Sequence, residues 1–392
     1  MSKIGKSGIA NRIESDLDAL RERAQFRTLE NPSGMNLCSN DYLNLARDPR
    51  LKQALLDAVA ACESVGSTGS RLLSGNSREW EAIEDEFADF AGTEAALCFG
   101  SGYAANIGLI SAIAGRGDLI FSDALNHASL IDGIRLSSAE RIIYPHADIS
   151  FVEAALREHR GHSGVKLIVS ESVFSMDGDI APIERLVELA QSYGAAVLVD
   201  EAHATGVHGP NGRGICAALG LQERVLATVH TCGKALASAG AFVCGSAKLR
   251  EFLINRSRTF IFSTAMPPYL ASQIRAALRL ALAADDRREQ LRVTSKELRR
   301  GLAAVDVNCS ASMTQIIPIC LGSNEEALSV AAHLQRAGFG VRAIRPPTVP
   351  IGTSRIRFSL TAAASLDDVR RLATATAAAI KGAQVLSNPV HA

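Results

Sequence analysis

The chain has 392 residues, 47% of them hydrophobic and 21% charged, and its 41 basic and 41 acidic side chains give a formal net charge of +0. That length and composition suit a folded protein with one large and one smaller domain, or two domains. The balanced charge gives no global electrostatic case for binding nucleic acid or an anionic membrane, and no apolar run approaches the roughly eighteen residues of a membrane span.

The N-terminal stretch "MSKIGKSGIANRIESDLDALRERAQFR" lacks the apolar region of a signal peptide and reads as an amphipathic helix. Short apolar runs then alternate with helical spacing. The expected strands are "ALCFG" (96–100), "DLIFSD" (118–123), "RIIYPH" (141–146), "VKLIVSES" (165–172), "AAVLVDE" (195–201), "VLATVHT" (225–231) and "AFVCGS" (241–246). Most are apolar on both faces, as strands covered on two sides must be. Helical segments such as "FVEAALREH" and "IERLVELAQSYG" lie between them, the latter closing on a glycine. Strand–helix repetition predicts an α/β fold with a mainly parallel sheet, its ligands beyond the carboxyl ends of the strands.

From about 267 a long helical region, broken near "ADD", precedes "TQIIPICLG", the helix "NEEALSVAAHLQRAG", strands "GVRAI" and "SRIRFSL", and a last helix through "LDDVRRLATATAAAIKG". This pattern predicts a smaller α+β domain. The expected division is an N-terminal helix and arm over 1–45, a large domain over 46–280 and a small domain over 281–392, with a frayed end "SNPVHA". The eight cysteines, at 38, 62, 98, 216, 232, 244, 309 and 320, form no C-x-x-C pair. Several lie inside apolar runs, as in "AALCFG" and "AFVCGS", and read there as small core residues; a reducing cytoplasm is the expected setting, and no metal ligand set is expected.

The stretch "VDEAHATGVHG" (199–209) places Asp200, Glu201 and His203 at a strand end. It echoes a helicase-type ATPase box, but no G-x-x-x-x-G-K-[ST] loop accompanies it: Lys234 follows Gly233 and precedes Ala235. Spacing dictates no third metal ligand. Further on, "HTCGKALASAGAF" places Lys234 just past another strand end. Aspartate, histidine and lysine at one sheet edge suit pyridoxal phosphate (PLP): the amine bonds the aldehyde, and a buried aspartate keeps the pyridine nitrogen protonated. "FGSGYAAN" (99–106) offers amides at a helix start for the phosphate, and Thr231, Ser263 and Thr264 could add hydroxyls. His127, in "DALNHASLIDG", is a candidate to stack on the ring; alone it would read as a helix-capping or core residue.

Across nearly its whole length the chain resembles the α-oxoamine synthases, PLP enzymes of the fold type I transferases. The blocks carrying the resemblance include "CSNDYLNLA" (38–46), "GSTGSRLLSGNS" (66–77), "SGYAAN" (101–106), "ESVFSMDGDIAP" (171–182), "VDEAHATGVHGPNGRG" (199–214), "FIFSTAMPP" (260–268) and "IRPPTVPIGTSRIRFSLTA" (344–362). It implies a large, mainly parallel seven-stranded sheet domain and a smaller α+β C-terminal domain. It also implies that Lys234 binds PLP and moves the substrate proton, that Asp200 pairs with the pyridine nitrogen, and that His203 and Ser175 sit at the phenolic oxygen. His127 would stack on the ring, and the amides of Gly102 and Tyr103 would hold the phosphate with Thr231. Ser263 and Thr264 would reach the neighbouring subunit of a homodimer. Arg357, Arg345 and Asn40 would meet the amino-acid end. Within the family, "GSRLLSGN" and "IRPPTVPIGTSRIR" are similar to the branch that condenses L-alanine with a pimeloyl thioester of CoA or acyl carrier protein. Thr348 matches a substrate-contacting threonine of that branch, and Arg27 and Arg21 are candidates for the pimeloyl carboxylate. Other branches take glycine or serine with other acyl thioesters.

Overall fold

A computed structural model of the chain describes residues 8–31, 33–309 and 311–387. The N-terminal end before Gly8 and the residues of "SNPVHA" from 388 onward lie outside the described part. The first helix, α1 (Gly8–Glu22), is amphipathic as expected and buries none of its residues. It leads into a short strand β1 (Met35–Asn36) and helix α2 (Pro49–Ala61). Asp48 opens α2 by accepting from the Arg50 amide, and proline stands at the first turn. Helix α3 (Arg78–Ala91) carries Glu79 and Glu81 in its first turn and stops at Gly92, whose φ of 69° is left-handed. Its buried face, Trp80, Ile83, Phe87 and Phe90, recurs at helical spacing and enters the core.

The alternating segment follows: β2 (Ala95–Phe99), α4 (Gly102–Ile113), β3 (Leu119–Asp123), α5 (Ala128–Ser137), β4 (Glu140–Tyr144), α6 (Ile149–Glu158), β5 (Lys166–Glu171), α7 (Ile183–Tyr193), β6 (Ala196–Asp200), α8 (Ile215–Ala218), β7 (Ala227–Thr231) and β8 (Ala241–Gly245). The strands form one seven-stranded sheet in the order β2-β8-β7-β6-β5-β3-β4. β8 runs opposite in direction to the other six strands of this sheet. Every residue of β3, β5 and β7 is buried, because helices cover both faces. Each expected strand is present, with ends moved by a residue or two. Glu171, Asp200 and Thr231 are the last residues of β5, β6 and β7, three adjacent strands, so they share one edge.

Helices α9 (Ala247–Arg256), α10 (Arg258–Ile261), α11 (Tyr269–Leu282) and α12 (Asp285–Ala303) come next, and the break before α12 falls where "ADD" predicts it. The chain ends with β9 (Ile316–Gly322), α13 (Asn324–Arg336), β10 (Phe339–Gly340), β11 (Ala343–Ile344), β12 (Ser354–Ser359) and α14 (Leu366–Ser387). Strands β11, β12 and β9 form an antiparallel sheet. "GVRAI", expected as one strand, is divided: β10 pairs parallel with β1, and β11 pairs with β12. The backbone changes partner across Val341 and Arg342, so neither pairing extends. This tie draws the N-terminal arm onto the C-terminal part. The Ser359 amide donates to Leu37 (2.9 Å) and the Ala362 amide to Tyr42 (2.8 Å). Asn40 and Tyr42 are thereby held beside β12 and its Arg357.

Candidate active site

Lys234 lies in a tight turn between β7 and β8, closed by the Ser238 amide donating to the Cys232 carbonyl at 2.9 Å. Its Nζ is 2.7 Å from His203 Nε2, and His203 Nδ1 is 2.6 Å from the Tyr42 hydroxyl. Tyr42 in turn donates to Asn40 Oδ1 at 3.2 Å, and Arg357 Nη2 donates to that same oxygen. When Lys234 is protonated, a consistent donor sequence runs from lysine to histidine to tyrosine to Asn40. Gln315 holds His203 from behind, its Nε2 donating to the His203 carbonyl at 3.0 Å.

Electrostatics favour neutral forms here. Burial lowers the Lys234 pKa to about 8, against the opposing pull of the Asp200 and Glu171 carboxyls. Burial also holds His203 well below its ordinary value, helped by the charges of Lys234 and Arg357. Tyr42 is pushed up to about 12 by burial, so its hydroxyl keeps its proton.

The second half of the cluster surrounds Asp200. Asn106 Nδ2 donates to Asp200 Oδ2 at 2.7 Å and to Ser129 Oγ at 2.9 Å, and the Ala202 amide donates to Asp200 Oδ1 at 2.8 Å. Ser129 Oγ is 2.8 Å from Nδ1 of His127. His127 is indeed the cap of α5, accepting from the Ser129 amide. Burial lowers its pKa, against the pull of Asp200 and with the push of Lys234. The capping role and a place in the cluster therefore coexist. Glu201 turns away: its carboxylate accepts from Ser172 Oγ (2.7 Å), the Ile215 amide (3.1 Å) and the Cys216 amide (2.7 Å), anchoring the following loop.

Thr231 faces the start of α4. A Cβ on Gly102 would stand 3.6 Å from Thr231 Oγ1, so the helix start and the β7 end adjoin. Ser101 caps α4 by accepting from the Ala104 amide. Among the described residues no hydrogen bond takes the Gly102 or Tyr103 amide. The Tyr103 phenol, exposed, donates to Asp132. Ser175 is buried on the turn after β5.

Other predicted residues lie apart from this cluster. Arg345 does not share the position of Arg357: its guanidinium donates to the carbonyls of Ala24 and Phe26 in the N-terminal arm. Arg27 and Thr348 meet at one turn, Arg27 Nη2 and the Thr348 amide both donating to the Arg345 carbonyl, at 3.3 and 3.1 Å. Arg21 is exposed, paired with Asp18 at 2.6 Å and 4.5 Å above the Phe26 ring. Ser263 and Thr264 lie exposed on the loop after α10, where Thr264 bridges to Ser70.

Four residues of the cluster were not singled out in the sequence: Tyr42, Asn106, Glu171 and Gln315. Glu171 is the most telling. It is 2% exposed, its Oε1 has no hydrogen-bond partner, and burial beside Asp200 raises its pKa to about 8. The amides of His127 and Ser175 face its carboxyl and oppose that rise. It ends β5 as Asp200 ends β6, so the strand-end rule that found Asp200 would have found it too. Gln315 carried no local signal.

Residues 32–375 match the family described as aminotransferase class I and II. The chain is 44% identical over 380 residues to an 8-amino-7-oxononanoate synthase of Geobacter sulfurreducens, covering 93% of this chain and 97% of the relative. It is 48% identical over 354 residues to one of Burkholderia mallei, covering 89% of each. A serine palmitoyltransferase variant from S. paucimobilis, solved with bound PLP and myriocin, superposes with a TM-score of 0.87 at 28% identity, covering 97% of this chain and 100% of that one. The chain belongs to the aminotransferase class I and II family, in the group formed by the 8-amino-7-oxononanoate synthases.

Proposed function

We propose that the chain condenses L-alanine with a pimeloyl thioester, carried by CoA or acyl carrier protein, to give 8-amino-7-oxononanoate, CO2 and the free thiol. This is a PLP-dependent acyltransferase step of biotin biosynthesis. The observation that carries the reading is Arg357. Its Nε is buried with no hydrogen-bond partner, while its Nη2 shares Asn40 with the chain that ends at Lys234. A guanidinium with a nitrogen left unpaired, beside an amine of lowered pKa, suits an amino-acid carboxylate.

The groups present fit PLP. Lys234 supplies an amine, Asp200 a buried carboxylate, and the amides of Gly102 and Tyr103 with Thr231 a cradle at a helix start. His203 and Ser175 would hold the cofactor's phenolic oxygen, and His127 lies across Asn106 and Ser129 from Asp200. Bound there, PLP supplies an aldehyde and a protonated ring that acts as an electron sink.

The chain's own residues do the rest. Arg357, oriented by Asn40, holds the alanine carboxylate. Lys234 takes the alanine α-proton as a general base, its pKa of about 8 giving it a far larger unprotonated fraction near neutral pH than an ordinary lysine has. The alanine α-carbon forms a bond to the thioester carbonyl carbon as the C–S bond breaks, and the sulfur leaves as thiolate and takes its proton from solvent. The carboxylate departs as CO2, and Lys234 returns a proton to the same carbon. The turn shared by Arg27 and Thr348 supports binding of the acyl end, with Arg21 the outer candidate.

The same reading divides the chain at 45 and 280, which agrees with a seven-stranded sheet within 95–245 and a three-stranded one within 316–359. It takes the protein as a cytoplasmic homodimer. Among the described residues no helix is long and apolar enough to cross a membrane. Leu73 and Phe262 are 85% and 71% exposed beside Ser263 and Thr264, an apolar surface that a second copy would cover. The test is a competition assay: holoenzyme, pimeloyl-CoA and equal alanine, glycine and serine, with products read by mass spectrometry. The alanine-derived product supports the proposal; a glycine- or serine-derived product moves the chain to another branch.

A further inference from the structure

Behind His203, away from Lys234, lies an open cavity of about 370 Å³ between α12, the turn at Val207 and the segment Met313–Gln315. Its size is that of a small-ligand pocket. Arg288 and Asp285 pair within it at 2.7 Å, and Arg292 and Glu289 pair at 2.6 Å. Arg299 is different. It is half-buried, burial lowers its pKa, and no carboxylate pairs with it among the described residues. Its only hydrogen bond there runs from Nη1 to the Thr314 carbonyl, at 2.5 Å. Four residues earlier on the same helix face stands Ser295, 3% exposed, whose hydroxyl has no partner. Both side chains line the cavity. An arginine held this deep without a counter-charge and a buried hydroxyl without a partner are costly unless a ligand satisfies them.

We propose that this cavity is a second ligand site, for a small aliphatic monocarboxylate. Two donors side by side match the two oxygens of a carboxylate, whereas a phosphate asks for more. Val207, Leu291 and Met313 supply an apolar wall for the hydrocarbon part. The lining carries one positive charge beyond its two ion pairs, which sets the ligand at a monoanion. Gln315 belongs to both sites: it lines this cavity and holds His203 by its carbonyl. Thr314, the acceptor of Arg299, is its neighbour in sequence. Occupancy therefore acts on the backbone that positions His203.

The probe is a trifluoromethyl-terminated hexanoate, titrated into PLP-loaded holoenzyme and followed by fluorine NMR. Arg357 also attracts carboxylates, so three variants are titrated alongside the wild type. Arg299→Gln weakens binding at least about tenfold, and Ser295→Ala about two- to tenfold, the ranges for a charge-assisted and a neutral hydrogen bond. Arg357→Gln leaves the same bound signal in place. Circular dichroism of each variant establishes the fold. Binding that is unchanged in both Arg299→Gln and Ser295→Ala overturns the site. Loss of the signal in Arg357→Gln alone overturns it too, since the probe then reports the catalytic cleft.

Discussion

Glu171 is the register partner of Asp200 across adjacent parallel strands, and the two buried carboxyls face one edge of the sheet. Burial raises the Glu171 pKa, and the like charge of Asp200 adds to the rise. The stability consequence has a definite sign. Unfolded Glu171 loses its proton near 4.5, while folded Glu171 keeps it up to about 8. Between those values the folded state binds more protons, so this residue's contribution falls as pH rises. Glu171→Gln removes that slope. The melting temperature of the cofactor-free variant should gain on the wild type steadily from about pH 5 to pH 8. A gap that stays flat across that range refutes the assignment.

Lys234→Ala should lower turnover at least about a thousandfold, within the range of a lost general base, while thermal unfolding remains cooperative. In the wild type, capture of PLP by the cofactor-free protein requires the unprotonated amine. Its rate should therefore rise with pH and level off above about 8, the lowered Lys234 value. Stopped-flow absorbance measures this directly, and a pH-independent rate would place the reactive amine elsewhere.

Arg357→Lys keeps the charge and loses the fork. The expected result is a roughly 10- to 100-fold drop in kcat/KM for alanine, carried mainly by KM, with the KM for the acyl thioester little changed. Arg345→Lys should differ, because Arg345 grips the arm at Ala24 and Phe26. Its effect should appear in stability and in the acyl thioester KM. Equal effects of the two substitutions on alanine would contradict the separation seen here.

Asn106→Leu removes the amide that binds Asp200 and Ser129. The affinity for PLP, measured by equilibrium dialysis, should fall about tenfold or more, the worth of a hydrogen bond to a buried charge. Unchanged affinity would show that the Ala202 amide alone orients Asp200.

Leu73→Asp places a charge on the exposed apolar surface beside Thr264. Sedimentation should show the wild type as a dimer and the variant shifted toward monomer, with activity falling in step. A monomeric wild type would remove the role expected for Ser263 and Thr264.

Much of this architecture is legible in the chain itself. Runs such as "AAVLVDE" and "VKLIVSES" are apolar on both faces and punctuated by helical spacing, and each became a strand of one sheet. Asp200 and His203 at one strand end and Lys234 past another mark the edge of the proposed site, because open parallel sheets bind ligands there. "GVRAI" was less legible, since pairing with β1 and with β12 depends on segments hundreds of residues away.

By itself the sequence determined the strand–helix alternation, the sheet edge and the chemical types gathered on it. Local periodicity and strand-end position carry that information. Tertiary structure decided which of two similar arginines joins the lysine. Arg345 and Arg357 flank the same turn, yet one holds the arm and the other shares Asn40. It also decided that Glu171 shares the burial of Asp200 and that Gln315 supports His203. Those outcomes depend on which strands pair and how the arm lies along them, and long-range packing sets both.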